Sequence, residues 1–322
     1  MRAVIAEQHG GPEVLKAAER DTPTAGPGQL LVDVVRAGVN FADIYRRQGL
    51  PPYSSDVPYV PGMEGAGIVA AVGPGTDRAA VGDRIAWTGA PSYAEQVIVP
   101  ADSAVPVPDG MDLETAAAAL LQGLTAHYLC HDTYPVAPGD PVIVHAAAGG
   151  VGLLLTQMVT RRGGVVIATT STPQKGELAR SAGAQHLATY ANFSAVTRDV
   201  TGGAGAAAVY DGVGQATFDA SLAALRPRGY MVLYGAASGP VPPLDPQRLA
   251  AGGSLFLTRP TLGSYLTTRN ELRHRADDLF RWIRSGTLRV RIGGRYPLDQ
   301  AARAQEDLAG RTTTGKLILL VR

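Results

Sequence analysis

The chain has a single cysteine, Cys130. One thiol cannot close a disulfide within the chain, and a zinc site built from four cysteines is excluded. Aromatic residues are sparse at 6%, and neither sign of charge dominates: 29 Lys and Arg stand against 28 Asp and Glu, a formal net charge of +1. Such a balance gives no general attraction for nucleic acid or for an anionic membrane. Long hydrophobic runs are also missing. Gly, Arg or Pro interrupts each one before the ~18 residues that a membrane helix needs. The opening MRAVIAEQHG holds no apolar stretch of signal-peptide length, so a cytoplasmic protein is expected. The one local excess of charge, from Arg273 to Arg291, reads as a solvated helix face.

What is present points to two domains. The 322 residues exceed what one hydrophobic core usually holds. The first third is strand-rich, with short apolar or alternating runs at Leu30–Val35, Gly67–Val72, Arg84–Trp87 and Tyr93–Val99 between GPG, GPGTD and VGD turns. One helix, Phe41 to Gln48, is expected there with Asn40 as its N-cap. An alanine-rich helix begins near Leu113.

After Asp140 the rhythm changes. Strands are expected at Val142–His145, Val165–Thr169, His186–Thr189, Ala207–Tyr210, Tyr230–Tyr234 and Ser254–Thr258, with helical segments before most of them. Six strands with helical crossovers predict a doubly wound parallel sheet, and runs that are apolar throughout suit strands covered on both faces. The tail departs from this pattern. It reads as an Arg-rich helix, a turn at Gly293–Gly294, a helix near Leu298–Leu308 and a final strand Lys316–Val321 that returns to the first domain.

The most informative stretch is VIVHAAAGGVG at 142–152, where a strand ends, glycines turn the chain and a helix starts. A dinucleotide pyrophosphate needs this arrangement. It must approach the backbone at Gly149, Gly150 and Val151, and it then meets the free N–H groups and the dipole of a helix N-terminus. The first glycine of G-x-G-x-x-G is Ala147 here, so the motif gains its weight from lying at the first crossover of the sheet. An NAD site usually carries an acid about 20 residues on. This chain instead reads IATTSTPQK at 167–175, with hydroxyls and Lys175, a set suited to the 2′-phosphate of NADPH.

These and further motifs, AGVNFADIYRRQG at 37–49, PGMEGAGIVAAVG at 61–73, LLQGLTAHYL at 120–129, VYDGVG at 209–214, LTRPTL at 257–262 and GRTTTGKLIL at 310–319, cover nearly the whole chain. Together they resemble the zinc-independent, zeta-crystallin-like quinone oxidoreductases of the medium-chain dehydrogenase/reductase superfamily. The resemblance implies an α/β fold with a GroES-like β-barrel catalytic domain at 1–122 and 265–322 and a Rossmann NADPH-binding domain at 123–264. It implies a homodimer paired through the sixth Rossmann strand. It puts Ser171, Lys175, Tyr190 and Arg311 around the 2′-phosphate, and Tyr234, Gly235, Leu257 and Thr258 along the cofactor. The nicotinamide and acceptor end falls on Asn40, Asp43, Tyr45 and Thr125. Asn40, Tyr45 and Thr125 are the catalytic candidates, and Tyr45 and Tyr53 line the substrate pocket.

The departures from the zinc alcohol dehydrogenases are as telling. Their three catalytic metal ligands fall on Asn40, Met63 and Gln122, which do not make a zinc site. No metal is therefore expected, and an acceptor that needs no Lewis acid, a small quinone, fits best. His127, Cys130 and His131 lie at helical spacing, but no glutamate stands between the histidines, and packing is their expected role. His145 reads as a buried, satisfied histidine. Two other readings stay open: reduction of activated alkenes such as enones or acrylates, and an NADPH-binding protein with a structural or RNA-binding role, against which the near-neutral charge argues.

Overall fold

Asn40 opens the first helix because its backbone N–H, which no helical carbonyl can reach, donates to the Asp43 carboxylate three residues on at 2.9 Å. That helix, α1 (Phe41–Arg47), follows β1 (Arg2–Ala6), β2 (Leu15–Glu19) and β3 (Gln29–Val39). It precedes β4 (Glu64–Val72), β5 (Arg84–Thr88), β6 (Gln96–Pro100) and β7 (Ala104–Pro106). The computed structural model describes all 322 residues, and they divide into two units, 1–121 with 268–322, and 122–267. Helix α2 (Leu113–Tyr128) crosses the first boundary and ends in a π-helical turn, Leu129–Thr133.

In the second unit β8 (Pro141–Val144), α3 (Gly150–Arg161), β9 (Val165–Thr169), α4 (Pro173–Ser181) and β10 (His186–Ala188) alternate. They continue into α5 (Phe193–Val200), β11 (Ala206–Asp211), α6 (Phe218–Ala223), β12 (Leu225–Leu233), α7 (Gln247–Ala251) and β13 (Phe256–Thr258). All six strands are parallel, in the order β10-β9-β8-β11-β12-β13. In chain order that is 3-2-1-4-5-6, the doubly wound arrangement that binds dinucleotides where the order reverses. The reversal here lies between β8 and β11, and the glycine turn follows β8.

The chain then returns to the first unit with α8 (Arg269–Arg284), β14 (Ile292–Pro297), α9 (Ala301–Ala309) and β15 (Lys316–Leu320). Its main sheet runs β14-β15-β3-β4-β5-β7, with β6 paired to the outer part of β3. Trp87 and Tyr93 are fully buried in its core.

Three sequence expectations change. Gly293–Gly294 is not a turn but the start of β14, parallel to β15 with a register shift between Ile292 and Gly294. A Cβ at Gly293 would lie 1.6 Å from the Thr314 carbonyl oxygen, so the glycine serves close strand approach. Strands β1, β2 and β7 were not expected; β1 pairs antiparallel with β2, and β7 with β5. Residues 93–95 precede β6 rather than forming it, and the Tyr93 ring fills the core instead. No helix is long and apolar enough to cross a membrane.

Candidate active site

In the first unit the sequence candidates collect at the start of α1. Asn40 is buried, and its carboxamide is held at both ends: Oδ1 accepts from Lys316 Nζ at 2.8 Å, and Nδ2 donates to Glu64 Oε2 at 3.1 Å. Lys316 and Glu64 also pair directly, fully buried. The second Glu64 oxygen accepts the backbone N–H of Leu121 at 2.6 Å. Asp43 is equally buried. Its Oδ2 accepts from Asn40 N at 2.9 Å and from the Tyr93 hydroxyl at 3.1 Å, while its Oδ1 has no partner. Burial pushes its carboxyl up to about 7, against the pull of the Asn40 N–H and the Lys316 charge. Tyr45, one turn from Asn40, lies with its ring 5.4 Å from that of Tyr53 and 6.1 Å from Phe41. The two tyrosines named from the sequence as pocket residues are therefore neighbours. Arg311 belongs to the same unit, exposed in the turn after α9 with φ at +56°.

In the second unit Gly149 is the N-cap of α3, and Gly150 and Val151 form its first turn. A Cβ at Gly152 would lie 2.4 Å from the Ala146 oxygen, so glycine is needed for the helix to pack on the strand. A Cβ at Gly149 would meet only that same oxygen, at 3.2 Å, so internal packing makes a weaker demand there. Ala146 is held at φ +50°, a conformation that side chains rarely adopt and that is stored where a turn must be tight. At the end of β9, Thr172 caps α4 by accepting from the backbone of Lys175 at 3.3 Å, and Pro173 fills the first helical position. No acid lies between Thr169 and Gly176. Ser171 thus stands just before the positive end of the α4 dipole and Lys175 in its first turn, residue types that fit a phosphate and not a ribose diol. Tyr190 is partly exposed past β10. Tyr234 and Gly235 follow β12, with Gly235 pressed against the backbone of Gly212, and Leu257 and Thr258 lie on β13. Thr125 is buried on α2.

Beneath the strand ends runs a second polar network. Asp211 Oδ1 accepts from the backbone of Val213 at 2.7 Å and of Gly214 at 2.9 Å, and its Oδ2 accepts from Thr217 Oγ1 at 2.7 Å. His145 lies 2.9 Å from Ser221 Oγ through Nε2 and 2.8 Å from Thr169 Oγ1 through Nδ1. Burial depresses its imidazole to about 4, so it is neutral at physiological pH. It is a satisfied buried histidine that ties together the ends of β8 and β9 and helix α6. His127 and His131 stack at 4.2 Å, and His131 Nδ1 bonds the His127 carbonyl at 2.9 Å, so they pack rather than chelate.

Glu64 and Lys316 were not singled out from the sequence. A signal existed: Lys316 opens the apolar run KLILL, and a lysine that starts a core strand needs a buried acid.

A GroES-like unit joined to a 3-2-1-4-5-6 sheet defines the class, a medium-chain dehydrogenase/reductase. Family models agree: an alcohol dehydrogenase GroES-like domain matches residues 26–109 and a zinc-binding dehydrogenase matches residues 150–282. The chain is 42% identical to a quinone oxidoreductase of Pseudomonas aeruginosa, over 97% of both chains. It is 38% identical to a 2-haloacrylate reductase of a Burkholderia species, over 99% of this chain and 98% of that one. A mycobacterial protein solved in complex with NADPH superimposes with a TM-score of 0.96 at 48% identity, covering 99% of this chain and 100% of that one. The chain belongs to the quinone oxidoreductase family of the medium-chain dehydrogenase/reductase superfamily.

Proposed function

We propose that this protein is an NADPH-dependent quinone oxidoreductase that works without zinc. The observation that carries the reading is the Lys316 ammonium on the Asn40 amide oxygen. That oxygen is the Asn40 atom able to bind a cation, and it already accepts from one. With Met63 and Gln122 at the other two ligand positions, the donor set does not fit zinc. The substrate must then accept reducing equivalents without a Lewis acid, as a small quinone does.

NADPH, held by the glycine turn, Ser171, Lys175, Tyr190 and Arg311, supplies the hydride or electron when bound. Asn40 and Thr125 orient the reacting ends, and positioning with exclusion of water does most of the work. Asn40 keeps one amide hydrogen beyond its bond to Glu64, so it acts as a donor. Tyr45 walls the acceptor pocket beside Tyr53 and offers a proton to the developing oxyanion. Replacing Lys175 by Ala is expected to weaken NADPH binding about 10- to 150-fold, the worth of one charge-assisted hydrogen bond, and to leave NADH binding unchanged. Equal loss for both cofactors would refute the phosphate role.

We further propose a cytoplasmic homodimer. Its support is strand β13, at the edge of the sheet, where Phe256 is 49% and Leu257 37% exposed. Sedimentation of a Phe256→Asp variant as a monomer tests it. The 2-haloacrylate reductase relative favours a second reading, reduction of an activated C=C bond. Product analysis separates the two: a hydroquinone or semiquinone in one case, a saturated product in the other.

A further inference from the structure

Gln122 carries a polar group that the protein itself does not use. The side chain is nine-tenths buried on α2, its Oε1 is shut off from solvent, and no donor in the chain reaches it. What it touches is Gly150, the first residue of α3. A Cβ built on Gly150 would lie 1.8 Å from Gln122 Oε1, so a side chain at 150 would displace this carboxamide from the turn. A buried acceptor left without a donor opposes folding, and a methionine of similar size would fill the space without that penalty. An amide kept in this place is matched to something that arrives later.

The neighbouring groups say what arrives. The start of α3 presents backbone N–H groups, which call for an anion. Gln122 Oε1 can only accept, and it calls for a donor beside that anion. In NADPH the pyrophosphate is flanked by ribose hydroxyls, which supply both features in one ligand. Gln122 and Thr125 are three residues apart on one helix and therefore share a face, and Thr125 belongs to the nicotinamide end in the reading above. We infer that Gln122 is a cofactor-binding residue whose side-chain oxygen accepts a hydrogen bond from a hydroxyl of the nicotinamide-side ribose of NADPH. This rests on the NADPH reading given under Proposed function.

The test is Gln122→Met, measured in two ways. The ligand-free variant should melt no lower than the parent, because it loses an orphaned acceptor and keeps the volume. Its Kd for NADPH, from quenching of intrinsic fluorescence, should rise about 2- to 13-fold, the worth of one neutral hydrogen bond. Its Kd for adenosine 2′,5′-bisphosphate, which lacks the nicotinamide half, should equal that of the parent. An unchanged NADPH Kd overturns the inference. So does a lower melting temperature of the ligand-free variant, which would mean an internal structural role. Equal weakening of NADPH and the bisphosphate overturns the placement at the nicotinamide side. If the parent protein itself fails to bind NADPH, the cofactor reading falls and takes the inference with it, an outcome distinct from parent and variant binding alike.

Discussion

Each unit of this protein buries a polar network, and the two are built on opposite terms. In the second unit Asp211, Thr217, Ser221, His145 and Thr169 use neutral hydroxyls, backbone N–H groups and an uncharged imidazole, and both Asp211 oxygens are bonded. The first unit buries a full ion pair, Lys316 with Glu64, and beside it an Asp43 oxygen with no partner. A network with every Asp211 oxygen bonded fixes strand ends in place. The ion-paired one holds a working group, the Asn40 carboxamide, between Lys316 and Glu64. Buried polarity is thus scaffolding in one unit and part of the candidate site in the other.

The comparison breaks most sharply at Lys316. Lys316→Met removes the counter-ion of Glu64 in the core and should cost about 3–5 kcal/mol in a denaturant titration. The double variant Lys316→Met, Glu64→Gln should recover much of that, since Gln can still accept from Leu121. Asp211→Ala orphans two backbone donors in the second unit and should cost about 1–3 kcal/mol for each one that water does not reach. Should the double variant prove no more stable than Lys316→Met alone, the contrast between the networks would be wrong.

The two units should also respond to pH with opposite slopes. Asp43 titrates near 7 in the folded protein and near ~3.9 when unfolded. Between those values the folded state holds a proton that the unfolded state has released, so this group's stabilisation is lost as pH rises from about 4 to about 7. His145 titrates near 4 when folded and near ~6.5 when unfolded. Over that window the unfolded state binds the extra proton, so stability rises with pH. Asp43→Asn should therefore make the stability of the protein climb more steeply between pH 4 and 6.5, and His145→Gln should make it climb less. A pH profile unchanged in either variant would contradict that group's assigned shift.

Much of this was legible in the sequence. The six parallel strands were, because most are apolar and bounded by Gly or Pro. The glycine turn and the acid-free stretch after β9 gave the cofactor class directly from residue types. The first unit was harder. Its contacts join residues far apart in the chain, as Lys316 with Asn40 over 276 residues, and the lysine that opens KLILL says that a buried partner is needed but not which residue it is. For the same reason the sequence named Asn40 and Tyr45 but not the ion pair that holds Asn40. The 293–294 glycines misled because a close backbone approach and a turn ask for the same residue.

The most direct test of zinc-independent quinone reduction is the rate of NADPH oxidation with a simple quinone, before and after exhaustive chelation, with NADH and an enone in parallel. The account predicts turnover with NADPH and quinone that chelation leaves unchanged and that exceeds turnover with NADH. Activity that disappears on chelation and returns with zinc would contradict it.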